Sequence, residues 1–205
     1  FSPNYAHTNN EEAAKKLNEK CKDFDTQIIF GKNELQNLII NDDIDIIISA
    51  ISGFAGLETT ISAAKTGKTI LLANKESIVV AGDILMPLAS SFNTLIIPVD
   101  SEHNAIHQCL ASCNDHKDIS KVIITASGGP FLGKSINDLD AVTLDQALNH
   151  PNWSMGSKIS IDSATLVNKC LELIEARYLF NLHESFFDLV IHPQSIIHSV
   201  VTYTD

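Results

Sequence analysis

The chain has 205 residues, 44% of them hydrophobic and 19% charged, enough for one large or two small domains with buried cores. Its formal net charge of −11 excludes a general nucleic-acid binder, which needs a basic footprint, so any phosphate recognition has to be local. The longest apolar runs, at 44–51 and 69–73, are too short to cross a bilayer, which predicts a soluble protein without membrane contact.

Four dispersed cysteines (Cys21, Cys109, Cys113, Cys170) predict core thiols in a reducing compartment rather than a disulfide framework. Cys109 and Cys113 fall four apart on an expected helix, but no second ligand pair follows at zinc spacing. The start at Phe1 without Met reads as a piece of a longer chain, with neither a secretion signal nor a transit peptide.

In chain order, Ala13, Ala14 and Leu17 predict a surface helix over 11–20, and 26–30 a short strand closed by Gly31. A helix over 35–40 leads to an apolar strand over 44–50 and a turn containing Gly53 and Gly56. A helix over 57–66, capped by Gly67, and a strand over 69–73 complete a βαβ unit. Gly53 and Gly56 read as an ordinary turn, because G-x-G-x-x-G is absent. Next come Asn74-Lys75-Glu76-Ser77, a helix over 78–90, a buried parallel strand over 94–97, and a helix over 102–111. After a polar loop over 114–120 comes a strand over 121–126 that ends in Ser127-Gly128-Gly129-Pro130.

Residues 132–156 have weak periodicity and one expected short helix over 144–148, the pattern of a lid carrying the only tryptophan, Trp153. A strand over 158–161 is expected, then a helix that starts at Asp162-Ser163-Ala164-Thr165 and runs to Phe180. On it Thr165, Asn168, Lys169 and Glu172 form a polar stripe, with Leu166, Cys170, Leu173 and Ile174 on the apolar side. Two strand-like runs over 187–191 and 196–203 predict an antiparallel or mixed sheet, unlike the first half. The change of sheet type near Ser101 marks the expected domain boundary.

The chemistry concentrates where strands end. Asp100-Ser101-Glu102-His103-Asn104 follows an apolar strand, and ligands of α/β sheets gather at that edge. Two carboxylates one residue apart repel unless a cation, such as a hard divalent ion, neutralises them. Asp100 and Ser101 could instead serve only as a helix cap. Asn74 and Ser77 could likewise be caps, with Lys75 paired to Glu76 in solvent, although their strand end should neighbour that of Asp100. Ser127 with two glycines makes a phosphate nest or a plain turn. Lys169 and Glu172 are either helix decoration or, with Ser163 and Asn168, phosphate donors beside a third metal carboxylate.

Taken together, five blocks resemble the 1-deoxy-D-xylulose 5-phosphate reductoisomerase family across essentially the whole chain. They are Leu71-Leu72-Ala73-Asn74-Lys75-Glu76-Ser77, Pro98-Val99-Asp100-Ser101-Glu102-His103-Asn104-Ala105-Ile106, Ser127-Gly128-Gly129-Pro130-Phe131, His150-Pro151-Asn152-Trp153-Ser154-Met155-Gly156, and Ile161-Asp162-Ser163-Ala164-Thr165 with Asn168-Lys169 and Leu171-Glu172. The resemblance implies an α/β fold: the remainder of a Rossmann-like parallel-sheet NADPH domain over 1–100, then a catalytic α+β domain over 101–205 with its lid at about 127–157. The glycine-rich dinucleotide turn would precede Phe1 and a helical domain would follow Asp205, so the piece alone should bind NADPH poorly and lack activity.

The resemblance further implies that Asp100, Glu102 and Glu172 bind Mn2+, Mg2+ or Co2+, and that Lys75, Glu102 and His150 are catalytic. Lys75, Ser101, Glu102, Ser127, His150, Trp153, Ser163, Asn168, Lys169 and Glu172 would contact a phosphorylated keto-sugar, with Trp153 and Met155 on the lid. Asn74, Glu76 and Gly156 would contact NADPH. The implied reaction rearranges the sugar phosphate to a branched aldehyde, which NADPH reduces to 2-C-methyl-D-erythritol 4-phosphate. A homodimer in a bacterial cytoplasm, or in a plastid stroma, is expected on the same ground. Cys170 and Ser157 depart from the family, which often has Gly and a basic residue there; neither is a ligand position.

Two other readings compete. One is a metal-independent NAD(P) dehydrogenase using Lys75 or His103 for proton transfer; the other is a non-catalytic nucleotide sensor in which His103 and His107 are structural. No H-E-x-x-H spans that histidine pair, which excludes a zinc protease there.

Overall fold

Short β-branched runs become strands and the segments between them helices, in a computed structural model that describes residues 2–111 and 116–204. Cys113 and the first part of the expected polar loop lie outside the described residues. The first half contains β1 (Tyr5–Thr8), α1 (Glu11–Cys21), β2 (Gln27–Phe30), α2 (Lys32–Ile40), β3 (Ile46–Ser49), α3 (Leu57–Ala64), β4 (Thr69–Leu72), α4 (Lys75–Ser91) and β5 (Leu95–Pro98). Every pairing here is parallel, with β1 beside β2 in one sheet and β3-β4-β5 in another. The register sets Ser49, Leu72 and Pro98 side by side, so β4 and β5 release their polar residues at one edge.

One face of the three-stranded sheet carries the core. Ile70 and Leu72 pack with Ile39, Ala63, Ala64, Ile78, Leu85 and Ala89, while Ile46, Ile48 and Leu95 on the other face are exposed. Burying each large aliphatic side chain contributes about 1.5–3 kcal/mol. α4 bends at Ala81, whose φ of −135° is non-helical, and Gly82 follows. A Cβ on Gly82 would come within 2.6 Å of the Tyr178 ring, so glycine allows a close approach of the next long helix.

The second half contains α5 (Ser101–Leu110), β6 (Ile119–Ala126), α6 (Ile136–Leu139), α7 (Leu144–Leu148), α8 (Ser157–Ala164), α9 (Val167–Phe180), β7 (Phe187–Ile191) and β8 (Ser199–Tyr203). Its sheet runs β7-β6-β8 and is mixed, β6 pairing parallel with β7 and antiparallel with β8. Ile106 of α5, Ile119, Val122 and Ile124 of β6, and Ala176 and Phe180 of α9 form a second core. α5 and α9 are thereby fixed over the same sheet.

The structure corrects several expectations. Residues 158–161 are not a strand but part of α8: Lys158 pairs with Asp162 four residues on at 2.6 Å, and Ser160 Oγ donates to Gly156 O. Helical i, i+4 contacts override the two-residue alternation of Ile159 and Ile161, a run too short to distinguish the periods. Asp162 to Thr165 therefore ends α8, and α9 starts at Val167 after Leu166 takes a left-handed φ of 61°. α4 starts at Lys75 rather than near 78, because Asn74 Oδ1 accepts the Ser77 N–H at 3.0 Å. The 132–156 segment holds two short helices, not one, each begun by a capping box at Ser135 and Thr143.

α9 also faces the opposite way from expectation. It buries Lys169, Glu172, Glu175, Ala176 and Phe180, whereas Leu166, Cys170 and Ile174 are exposed and only Leu173 packs on the core. Buried charges are tolerated where opposite charges meet them, and α4 and α5 supply those charges. Cys109 and Cys170 are exposed and Cys21 is half-buried, so these thiols are not core residues. Among the described residues, no helix is long and apolar enough to cross a membrane.

Candidate active site

The expected pair at the sheet edge meets α9. Lys75, first residue of α4, extends its ammonium to Asp100 Oδ2 at 2.5 Å, Glu172 Oε1 at 2.9 Å and Asn168 Oδ1 at 2.9 Å. Lys75 therefore spends all three donors inside the cluster. Lys169 donates to Glu102 Oε1, and to Glu172 Oε2 at 2.6 Å, which leaves one N–H for an incoming oxygen. Asn168 Nδ2 donates to the same Glu172 carboxylate. Neither solvent pairing of Lys75 with Glu76 nor simple decoration by Lys169 and Glu172 describes this arrangement.

Asp100 satisfies both sequence readings at once. Its Oδ1 accepts the Glu102 N–H at 3.3 Å as the N-cap of α5, while Oδ2 holds Lys75. Burial alone would raise its pKa, but His103 and Lys75 outweigh burial and hold the carboxyl well below the usual range. For Lys75, burial opposes the charge, but Asp100 and Glu172 raise its pKa above the ordinary lysine value. For Glu172, burial and the Asp100 charge outweigh the two lysines and raise its pKa.

Asp100, Glu102 and Glu172 present carboxylate oxygens that all lie within 4.8 Å of one another. Two ammonium groups do not balance three carboxylates, so net negative charge remains on a set of hard oxygen donors. That set fits a hard divalent cation.

The triad opens onto a cavity of about 520 Å3. Every substrate-contact residue expected from the sequence lines it: Lys75, Ser101, Glu102, Ser127, His150, Trp153, Ser163, Asn168, Lys169 and Glu172. Met155 lines it as well. The turn after β6 brings Ser127 close to α8. Gly128 and Gly129 have φ of +90° and +70°, and a Cβ on Gly129 would lie 2.7 Å from Ser163 O. The backbone approach that joins the two serines therefore requires glycine.

His150 positions Ser127. Its Nδ1 accepts the backbone N–H groups of Asn152 and Trp153, both at 3.2 Å. The neutral ring then carries its proton on Nε2 and donates to Ser127 Oγ at 3.0 Å. Ser127 Oγ also accepts the Gly129 N–H at 3.2 Å, so its own hydroxyl proton is left for a ligand oxygen. Burial holds the His150 pKa below the ordinary histidine value, in keeping with a neutral ring.

Two of the three expected cofactor residues, Asn74 and Glu76, follow β4, and an ion pair links them to the helix that Gly156 begins. Glu76 Oε1 pairs with Lys158 of α8 at 2.5 Å, and Gly156 is the N-cap of that helix. Asn74 is 2% exposed, and its amide donates to Ile51 O at 2.6 Å, Gly53 O at 2.9 Å and Glu76 Oε2 at 3.0 Å. Its side chain thus shapes the 51–56 turn from within.

The sequence reading did not assign Thr125, Ser154, Ser195 or His198, which also line the cavity. Asn152 Nδ2 ties the 150–155 stretch to the loop after β7 by donating to Pro193 O at 2.9 Å. The available signal was a Ser- and His-bearing turn at the carboxyl end of a strand. Reading also missed Glu175, three residues beyond Glu172 on α9 and fully buried.

Known proteins resemble the chain over this whole arrangement. Residues 1–82 match the family model for 1-deoxy-D-xylulose 5-phosphate reductoisomerase, and residues 96–180 match its C-terminal domain model. The reductoisomerase of Thermoanaerobacter pseudethanolicus is 50% identical over 205 residues, covering 100% of this chain and 53% of that protein. That of Clostridium perfringens is 49% identical over 207 residues, covering 100% and 54%. A crystal structure of DOX-P reductoisomerase in complex with NADPH, fosmidomycin and magnesium has a TM-score of 0.91 at 46% identity, covering 99% of this chain and 52% of that one. The Zymomonas mobilis enzyme in complex with NADPH has a TM-score of 0.86 at 40% identity, covering 98% and 51%. The chain spans about half the length of the relatives it matches.

Proposed function

The chain belongs to the 1-deoxy-D-xylulose 5-phosphate reductoisomerase family, and on that premise we propose that the protein containing it converts 1-deoxy-D-xylulose 5-phosphate to 2-C-methyl-D-erythritol 4-phosphate, using NADPH and a divalent metal. The observation that carries this reading is the acid triad, held by Lys75 and Lys169 in the lining of a cavity that Ser127, Ser163 and Asn168 share. Asp100, Glu102 and Glu172 would hold Mn2+, Mg2+ or Co2+, which as a Lewis acid supplies polarisation of the substrate carbonyl and orients its hydroxyl oxygens.

The chain's own groups divide the remaining work. Ser127 and Lys169 each direct a spare hydrogen toward the cavity, and with Ser163 and Asn168 they bind the phosphate. Lys75 keeps its proton among three acceptors, so it orients the triad and stabilises developing negative charge as a fixed cation. His150 stays neutral and fixes Ser127 and the start of the Trp153 stretch. Trp153 and Met155 exclude water from a reactive aldehyde. Asn74, Glu76 and Gly156 shape the NADPH side, where the start of α4 meets α8.

Division into an NADPH-binding part over 1–100 and a catalytic part over 101–205 is supported by the all-parallel sheets before Ser101 and the mixed sheet after it. A homodimer in the bacterial cytoplasm belongs to the same proposal, in keeping with bacterial relatives. A metal-independent dehydrogenase fits less well. Lys75 is held protonated and cannot serve readily as a base, and His103 is fully buried away from the cavity lining.

The test is NADPH oxidation and product formation by the full-length protein supplied with 1-deoxy-D-xylulose 5-phosphate after chelator treatment. Oxidation that is lost in chelator and returns when a divalent metal such as Mn2+ is added back is expected. Undiminished oxidation in chelator would favour the metal-independent dehydrogenase.

A further inference from the structure

Beneath the triad lies a second layer of charge that the proposed chemistry does not use. His103 of α5 and Glu175 of α9 are both 0% exposed. Each sits one turn behind a ligand of the triad, His103 three residues after Asp100 and Glu175 three after Glu172, so helix periodicity stacks it under that ligand. The His103 ring is fixed on two sides. Its Nε2–H donates to Glu172 O at 2.8 Å, and Phe180 stacks on it with ring centroids 6.2 Å apart.

The other nitrogen, Nδ1, lies 3.3 Å from Glu175 Oε2 and 3.7 Å from Asp100 Oδ1. A bare lone pair there would face acceptors on both sides, so Nδ1 carries a proton that lies between the two carboxyl groups and aligns with neither among the described residues. Neither oxygen of Glu175 makes an aligned hydrogen bond among the described residues. A dry carboxyl group with no partner except an imidazole edge is costly for packing alone.

We propose that Glu175 is a positioning residue that acts through His103 to hold Asp100 in the geometry that receives the metal. The proposal rests on the reading of Asp100, Glu102 and Glu172 as the metal site. Glu175 fixes the orientation of the imidazole, and the imidazole edge beside Oδ1 and Lys75 on Oδ2 together set the position of Asp100. Groups behind a ligand commonly change metal affinity by about 10- to 100-fold when removed.

The experiment is a Mn2+ titration of the full-length protein, followed by electron paramagnetic resonance, for wild type, Glu175→Ala and the isosteric Glu175→Gln, with thermal unfolding measured alongside. The expected result is one Mn2+ per chain in wild type, affinity at least about tenfold weaker in Glu175→Ala, and a smaller loss in Glu175→Gln, which preserves packing. Folded variants that bind Mn2+ with wild-type affinity, whatever their unfolding temperature, would overturn this role and leave the triad reading intact. Two Mn2+ per chain in wild type would also overturn it, because Asp100, His103 and Glu175 would then be ligands themselves. A wild type that binds no Mn2+ would overturn the triad reading and this proposal together.

Discussion

The side chains of Lys75, Asp100, Lys169 and Glu172 are 12% exposed or less, whereas Leu132, Ile136, Leu144 and Trp153 in the 127–157 segment are at least 50% exposed. The first group is held by three rigid elements, α4, α5 and α9, that converge over two cores. The second is organised by local capping boxes and a few ties such as Asn152 to Pro193. Groups that must keep sub-ångström geometry sit where packing enforces it, and groups that cover a ligand sit where apolar surface is still open.

If that division holds, the largest effect comes from the buried side. Glu172→Gln in the full-length protein should lower kcat by about 10^3-fold or more, since metal polarisation contributes several kcal/mol. Circular dichroism would establish that the variant folds, and near-wild-type turnover would break the comparison. Trp153→Ala, on the covering side, should raise KM by about tenfold or less, with a smaller change in kcat. A kcat loss as large as that of Glu172→Gln would place chemistry on the cover.

Smaller effects sharpen the same contrast. Thr143→Ala removes the cap of α7 and should destabilise that helix by about 1 kcal/mol. Hydrogen exchange should then quicken in residues 143–149 and stay unchanged in α9. The gentlest probe is pH. Because burial lowers the folded pKa of His150, the unfolded chain takes up that proton first as pH falls. Its contribution to stability is complete above the ordinary histidine pKa and is lost as pH drops from there toward the lowered folded value. Denaturant unfolding across that window should show the decline as the difference between wild type and His150→Gln, because Glu175, whose folded pKa burial raises to about 7, gains stability as pH falls there.

Much of this was legible because the chemistry lies at strand ends. Asp100, Glu102 and Lys75 follow apolar strands, and the level register of β4 and β5 places them together. The polar stripe at Asn168, Lys169 and Glu172 was visible by spacing, but spacing could not show that it faces inward. The reason is long-range: Lys75 and Glu102 are distant in sequence and supply the charges that permit burial. α8 was misread because four residues cannot separate a period of two from one of 3.6. Glu175 was passed over because one more acid on a charged helix resembles a solvated face, and only its burial beside His103 distinguishes it. Ser195 and His198 enter the cavity through a loop whose approach depends on the β7-β6-β8 pairing.

The most direct measurement is the Mn2+ affinity of the full-length protein in three forms: wild type, Glu172→Gln and Trp153→Ala. One site of equal strength in wild type and Trp153→Ala, weakened at least about tenfold in Glu172→Gln, is the result expected if the buried cluster alone builds the metal centre. Wild-type affinity in Glu172→Gln would contradict it.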